Sequence, residues 1–200
     1  MRYHNREVSM GLGQYLLAAR KLNHISRWAS DFMHVRSSVS EHSFLVTQIA
    51  QMLGIIEEQH GSSVNWEILY KKALNHDVIE AFTGDILSHV KNKTPKMKAA
   101  VSDIEDMIVE ELLLSDMEEP YKSIYHNMLF NGKDETLEGK ILKYADYIDA
   151  MLECLTEVKL GNNSPFKRKY LEIRDKCAKS DLASVQYFLN VILPELDNII

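Results

Sequence analysis

The chain has 200 residues, 46% hydrophobic and 26% charged, a composition that predicts a globular protein with a sizeable core. Its net charge of −6 and its lack of a basic stripe argue against a nucleic-acid polymer as partner, since such a polymer requires several aligned cations. No apolar run approaches the roughly 20 residues that span a bilayer, and the two cysteines show no CxxC spacing. We therefore expect a cytoplasmic protein without a membrane segment or a disulfide framework.

Hydrophobic periodicity predicts a series of helices in the first half of the chain. One amphipathic helix covers Leu12 to Ala19, and a second runs from about Ser40 to Gln59. Asn65 is the predicted N-cap of a third helix, which we expect to continue to about Phe82. A fourth helix is predicted to end near Leu114.

The second half of the chain shows the same periodicity. Pro120 suits the first turn of a short helix, and the longest apolar face lies between Glu135 and Lys159. Ser164 is the predicted cap of the next helix and Asp181 that of the last, in which Pro194 predicts a kink or an end. We found no alternating strand pattern, so the prediction is an all-α protein with one helical domain over residues 1–200.

Ionisable residues interrupt several of these apolar faces. His76, Asp77 and Glu80 occur in a span of five residues inside the predicted third helix, whose apolar spacing otherwise predicts a buried face. Burying such groups unpaired is costly, and a divalent cation is the usual way to hold imidazole and carboxylate together in a core. His42 and Asp146 also fall on inward faces of predicted helices. Taken singly, each has a simpler reading: a hydrogen-bonded core histidine, or an aspartate that caps a helix or pairs with a neighbouring lysine.

Four short motifs resemble the signature of the HD-domain phosphohydrolases. They are VSEHS at 39–43, HDVIE at 76–80, TGD at 83–85 and YAD at 144–146. The order and the additional RW, VK and GNN pieces at 27–28, 90–91 and 161–163 are most similar to the bacterial 5′-deoxynucleotidases of the YfbR type. The resemblance is clearest over residues 11–163, and residues 164–200 are expected to be C-terminal helices of the same domain.

This resemblance implies a role for nine residues. Glu80 matches a glutamate needed for catalysis, and Arg27 matches an arginine that contacts the phosphate. Trp28 and Asp85 match the pair that recognises deoxyribose, by crowding the 2′ position and by accepting from the 3′-hydroxyl. Ser88 falls where a substrate-contacting threonine would lie. The metal ligands implied are His42, His76, Asp77 and Asp146.

The loop after the TGD motif departs from the family pattern. Here the sequence is ILSHVK at 86–91, whereas enterobacterial members carry a proline-containing LPTP turn. The change puts in question the shape of the pocket wall and thus the strength of sugar discrimination. The histidines that would hold a second metal in binuclear relatives are missing after His76, so one divalent ion is expected, with Mn, Co, Fe and Zn all compatible with the ligand types.

The resemblance predicts a metal-dependent phosphomonoesterase that hydrolyses deoxyribonucleoside 5′-monophosphates to deoxynucleoside and phosphate. One alternative is an HD phosphohydrolase acting on another nucleotide, such as an alarmone, a cyclic nucleotide or a deoxynucleoside triphosphate. Another is a helical module that senses a metal or nucleotide without catalysis. A small-molecule nucleotide is the expected partner in the enzymatic readings, and the resemblance also suggests a homodimer.

Overall fold

The computed structural model of the chain describes residues 11–86, 91, 93–130 and 132–199. Within these residues the protein is a bundle of helices joined by loops, with no β-strand, which confirms the all-α prediction. None of the described helices is both long and apolar enough to cross a membrane. In chain order the helices are α1 (Gly11–Lys21), α2 (Val39–Gln59), α3 (Trp66–Asn75), α4 (Glu80–Thr83), α5 (Pro95–Ile108), α6 (Tyr121–Phe130), α7 (Leu137–Lys159), α8 (Phe166–Ala178), α9 (Ala183–Tyr187) and α10 (Leu193–Ile199).

Side-chain caps define where several of these helices begin. Ser38 and Glu41 form a reciprocal capping box at the start of α2. Asn65 caps α3 as predicted, accepting from the Ile68 amide at 3.1 Å. Thr136 caps α7 in the same way. These caps define the first residues of α2 and α7, which carry His42 and Asp146, and of α3, which precedes His76.

The third helix is shorter than predicted. It ends at Asn75, and a tight turn follows before α4 begins at Glu80, so the prediction of one helix to Phe82 is wrong. In this turn the amides of Val78 and Glu80 donate to carbonyls three residues back, at 3.2 and 3.0 Å. This geometry winds the chain more tightly than an α-helix. The side chains that follow Asn75 are thereby redirected relative to a continuous helix.

Two further predictions near the C-terminus, the Ser164 and Asp181 caps, also need correction. α8 begins after Pro165 without a side-chain cap, so Ser164 does not cap it. Asp181 does not cap α9 but forms an ion pair with Lys140, with Nζ and Oδ2 3.0 Å apart. Pro194 predicts a kink or an end, and the helical run that contains it, from Ala183 to Ile199, is interrupted. The irregularity comes just before Pro194, in the π-helical turn Phe188–Ile192.

Three hydrophobic clusters form the interior of the described residues, a small one of Met33, Cys154 and Phe166 and two larger ones. The main cluster lies between α2, α3, α7 and α9, and the second cluster lies between α1, α4 and the π-helical turn after α5. On α2, Val39 belongs to the second cluster and Val46 to the main one. His42 lies between them in sequence and is 0% exposed. The candidate site is therefore located where the two larger clusters meet.

Gly54 allows α2 and α3 to pack closely. A Cβ atom at this position would lie 2.8 Å from the Trp66 ring, closer than side chains tolerate. α3 carries His76 at its C-terminal end, so this close contact helps to set the distance between His76 and the histidine of α2.

Candidate metal centre and substrate site

The four residues expected to bind metal come together from separate elements. His42 lies in the first turn of α2, His76 directly follows α3, Asp77 is in the turn before α4, and Asp146 is in the middle of α7. His42 Nε2 lies 3.4 Å from His76 Nε2 and 3.2 Å from Asp146 Oδ1. His76 Nε2 lies 3.1 Å from Asp77 Oδ2. The redirected turn after Asn75 is what brings His76 and Asp77 to the same point.

These distances fit a common ion. Nitrogen and oxygen ligands bind first-row divalent metals at about 2.0–2.2 Å, so two ligands of one ion lie roughly 3.0–3.5 Å apart. The contacts of His42 with His76, Asp77 and Asp146, and of His76 with Asp77, fall in this range. Ligand atoms of His42, His76 and Asp77 all lie within 4.8 Å of one another, and Asp146 joins them through its contact with His42. Two imidazoles and two carboxylates are also a donor set that suits such metals. The residues present therefore fit a divalent cation.

Hydrogen bonds orient both imidazoles for this purpose. His42 Nδ1 lies 2.6 Å from Asp149 Oδ2, and His76 Nδ1 lies 2.8 Å from the Ala73 carbonyl oxygen. Because an acceptor faces each Nδ1, the proton belongs there and Nε2 presents its lone pair to the centre. Asp149 is a functional residue that sequence reasoning missed.

The electrostatics of the centre favour charged aspartates. Burial raises the pKa of Asp77, but its two histidine neighbours outweigh burial and hold that pKa well below the usual range. Burial also raises the pKa of Asp146, but Lys133 and His42 outweigh burial and hold that pKa below the usual range. The carboxylates around His42 raise the pKa of this imidazole well above its ordinary value despite its burial. A cation bound at Nε2 would take the place of that proton.

Glu80 lies beside the centre without a hydrogen-bond partner. Its Oε2 is buried and unpaired within the described residues. Burial, Asp77 and Asp85 together raise the pKa of Glu80 to about 9. An unpaired buried oxygen is costly unless something else binds there. Glu80 is therefore set up to accept from, or donate to, a ligand in the site rather than a protein group.

Arg27 is buried and held by a second acidic residue, Glu153. Its Nε lies 3.1 and 3.2 Å from the two carboxylate oxygens, and its Nη2 lies 3.0 Å from Oε2. Glu153, Asp146 and Asp77 outweigh burial and raise the pKa of the Arg27 guanidinium. Glu153 therefore fixes the Nε–Nη2 edge of the guanidinium.

Trp28 and Asp85 are in direct contact. The Trp28 amide donates to Asp85 Oδ2 at 3.0 Å, and the indole Nε1 donates to Glu153 Oε2 at 2.8 Å. Trp28 has a φ of 54°, and Gly84, which precedes Asp85, has a φ of 70°. Glycine adopts that conformation easily, but tryptophan does so at a cost, so the Asp85 and Glu153 contacts are needed to hold Trp28 in place. Asp85 Oδ1 remains for a ligand.

One expected substrate contact cannot be located. Ser88 lies outside the described residues, together with His89 and Val90. Of the ILSHVK segment that departs from the family pattern, only Ile86 and Lys91 are among the described residues.

A row of acids on α7 organises the whole site. Asp146, Asp149, Glu153 and Glu157 are spaced by three, four and four residues, which places them on one face of the helix. Glu157 accepts from the His34 and Val35 amides, at 3.0 and 2.8 Å. Only Asp146 was singled out from the sequence. The spacing of the other three acids is the signal that could have identified them.

Asp146 has a partner that the sequence did not indicate. Lys133 Nζ lies 2.6 Å from Asp146 Oδ2, whereas Lys143, the neighbour considered from the sequence, is exposed on α7. Lys133 also lines a cavity of about 230 Å³ that opens beside the centre. The polar wall of this cavity includes His76, Asp77, Glu80, Lys91 and Glu105.

The helical fold and this centre define the class of HD-domain phosphohydrolases. An HD-domain phosphohydrolase from Listeria innocua superposes with a TM-score of 0.87 at 39% identity, covering 94% of this chain and 90% of that one. The HD phosphohydrolase of cyanophage S-2L, whose structure holds dA and one catalytic Zn²⁺, superposes with a TM-score of 0.64. It covers 92% of this chain and 96% of the phage protein, but at 19% identity the likeness shows the fold alone.

Sequence comparison gives the particular family. The profile of the YfbR-like 5′-deoxynucleotidases matches residues 14–196. A 5′-deoxynucleotidase of Vibrio vulnificus is 32% identical over 183 residues, which cover 90% of this chain and 92% of the relative. One of Photorhabdus laumondii is 31% identical over 179 residues, covering 87% and 88%. The chain belongs to the YfbR-like 5′-deoxynucleotidase family, which confirms the resemblance and the enzyme class predicted from its motifs.

Proposed function

We propose that this protein is a metal-dependent 5′-deoxynucleotidase, which adds water across the P–O5′ bond of a deoxyribonucleoside 5′-monophosphate. The observation that carries the proposal is the convergence of His42, His76, Asp77 and Asp146 beside a fixed arginine. Family membership supports the same reaction, because the relatives are named 5′-deoxynucleotidases. The products are a deoxynucleoside and inorganic phosphate.

The metal would be one divalent ion held by those two histidines and two aspartates. When bound, such an ion supplies Lewis acidity toward a phosphoryl oxygen and lowers the pKa of water. Mn, Co, Fe and Zn all suit the donor set, and the ligand types do not choose among them.

Arg27 and Glu80 would have different roles in the reaction at the phosphate. Arg27 would bind a non-bridging phosphoryl oxygen through Nη1, because Glu153 already holds its other edge. Glu80 would hold the attacking water or exchange its proton, since its Oε2 is buried and has no protein partner in the described residues. Both groups would act on charge that develops during the reaction, so their loss should lower kcat strongly.

Sugar recognition would come from Trp28, Asp85 and Ser88. The Trp28 ring is fixed by Glu153 and packs on Phe166, with ring centroids 5.8 Å apart, so it is a rigid wall against a 2′-hydroxyl. Asp85 would accept from the 3′-hydroxyl with the oxygen that Trp28 does not use. Ser88, three residues after Asp85 in the sequence, would also contact the substrate. A cytoplasmic location and a homodimer are two further predictions, the first from the composition and the second from the family resemblance.

The proposal is tested by phosphate release from purified protein loaded in turn with Mn, Co, Fe and Zn. The substrates are dAMP, AMP, dATP and a cyclic dinucleotide. We expect release from dAMP to exceed release from AMP by at least about tenfold, given the fixed indole beside the sugar. No release from any substrate with any of these metals would overturn the enzymatic proposal, and faster turnover of dATP or the cyclic dinucleotide would assign a different nucleotide.

Glu80→Gln provides the matched test of catalysis. This change keeps the shape of the side chain and removes its ionisable group, so kcat should fall by roughly 100-fold or more, while bound metal stays near the wild-type amount. Glu172→Gln, at an exposed position on α8, should leave both unchanged. Loss of metal in Glu80→Gln would show that Glu80 is a ligand instead.

A further inference from the structure

Lys133 is held in a loop that is itself firmly anchored. The loop precedes α7, and the residues on both sides of Lys133 contact Lys72 of α3. Lys72 Nζ donates to the Gly132 carbonyl at 3.3 Å and to Asp134 Oδ2 at 2.5 Å. Asp134 also accepts from the Thr136 amide at 3.1 Å. The backbone that carries Lys133 is therefore fixed from both sides.

Gly139 makes this anchoring possible. A Cβ atom there would lie 2.5 Å from the Asp134 carbonyl oxygen, a backbone atom that cannot move aside cheaply. Only glycine lets the loop pack this closely against the first turn of α7. The loop, α3 and α7 are thus locked together immediately next to the candidate metal ligands.

The Lys133 ammonium has donors to spare. Its one hydrogen bond within the described residues goes to Asp146 Oδ2, the oxygen that does not face His42. An ammonium carries three N–H donors, so two remain for another partner. The side chain is 40% exposed and lines the cavity that begins at His76, Asp77 and Glu80.

We propose that Lys133 is a phosphate-binding residue: a positive charge in the cavity wall that binds a phosphoryl oxygen of the substrate, and the inorganic phosphate formed from it, beside the metal centre. The proposal rests on the proposed function and adds a second cation to Arg27. It also gives the cavity a role as the place where the phosphate leaves the centre. The ligand is a phosphate dianion, whether free or esterified.

The test compares Lys133→Met with Lys133→Arg and with the control Lys143→Met. Methionine keeps the length of the side chain without its charge, arginine keeps the charge, and Lys143 is an exposed lysine on α7, close in sequence to Asp146. Binding of inorganic phosphate and of deoxyadenosine to metal-loaded protein is measured by calorimetry, and bound metal is measured for each variant. KM and kcat for dAMP complete the set.

We expect Lys133→Met to weaken phosphate binding by about tenfold or more and to raise KM for dAMP similarly, because a charge-assisted hydrogen bond is lost. Deoxyadenosine, which lacks phosphate, should bind as to the wild type, and metal content should be unchanged. Lys133→Arg should retain phosphate binding within a few-fold, and Lys143→Met should resemble the wild type.

Two results would overturn this assignment. Phosphate binding within twofold of wild type in Lys133→Met would show that the ammonium does not meet the phosphate. Loss of metal together with phosphate would show that Lys133 acts only by orienting Asp146. Phosphate binding is measured without turnover, so the result stands even if the protein does not hydrolyse dAMP, in which case the proposed function fails separately.

Discussion

Glu80 shows how a single carboxyl can be set for function at the expense of stability. It is the first residue of α4, its Oε2 has no partner among the described residues, and two other carboxylates lie near it. Burial of this unpaired oxygen and the two neighbouring carboxylates, Asp77 and Asp85, disfavour the charged form of the acid. A folded protein gains nothing from such an arrangement unless a ligand or an ion compensates, which is why such groups concentrate at functional sites.

The raised pKa of Glu80 predicts an unusual pH dependence in chelator-treated protein. Its folded-state pKa of about 9 lies above its ordinary value of 4.5, so between these values the folded state binds more protons than the unfolded state. Wild-type stability should therefore fall as pH rises through this window. Glu80→Gln, which cannot ionise, should be more stable than wild type at pH 8, by on the order of 2 kcal/mol, and equally stable at pH 4.

Urea unfolding at the two pH values in the presence of EDTA measures this difference. Glu172→Gln, an exposed glutamate, should show no such dependence. If Glu80→Gln gains no stability relative to wild type between pH 4 and pH 8, Glu80 is charged in the folded protein and the environment described for it is wrong.

At the level of elements, α7 links parts of the site that are distant in sequence. Asp146 faces His42, Asp149 supports the same histidine, and Glu153 holds Arg27 and Trp28. The three functions proposed for the site, namely metal binding, phosphate binding and sugar recognition, would thus all depend on the position of one helix. A helix holds such groups at fixed spacing better than a loop does.

Glu153 is therefore expected to affect two kinds of recognition at once. Glu153→Gln weakens the hold on both Arg27 and Trp28, so KM for dAMP should rise by about tenfold and the preference for dAMP over AMP should decrease. Bound metal should stay unchanged, because no metal ligand is touched. Steady-state kinetics on both nucleotides measure these effects, and Glu135→Gln, an exposed glutamate just before α7, is the control. An unchanged dAMP-to-AMP ratio would mean that the indole holds its position without Glu153.

The elements also show how far sequence reasoning reaches. The Asn65 cap and the long helix before Lys159 were predicted because local chemistry and apolar spacing determine them. The end of α3 was missed, because its tight turn is favoured by contacts of His76 and Asp77 with other helices. The role of Glu153 was missed for a related reason, since its partner Arg27 is 126 residues away and no local pattern reports such a pair. The row of acids was visible, but its partners were not.

At the level of the whole molecule, the candidate centre joins the two larger hydrophobic clusters. His42 lies between the two clusters on α2, and the turn with Asp77 leads from α3 of the main cluster to α4 of the second. Ligand residues from three separate regions of the chain must therefore be brought together only in the folded state. An ion that binds them binds the folded protein alone, so it should stabilise the whole structure.

Metal removal should consequently lower the unfolding temperature. For an ion present at about a thousand times its Kd, the stabilisation is about 4 kcal/mol, which for a protein of this size corresponds to roughly 10 °C. Thermal unfolding with and without EDTA measures the shift. Asp146→Asn, in which one ligand loses its charge, should lose most of this metal-dependent shift. A wild-type unfolding temperature that does not respond to chelation in protein shown to contain metal would argue against a bridging role for the ion.

The contacts of Trp28 make the site accessible to fluorescence. The chain contains two tryptophans, Trp28 in the site and Trp66 on α3, where it packs near Gly54. A Trp66→Phe protein would therefore carry its single indole beside Asp85 and Glu153, at the place where the sugar is proposed to bind. All tryptophan emission of this variant would come from Trp28. Ligand binding at the site could therefore be followed by fluorescence, in real time and without turnover.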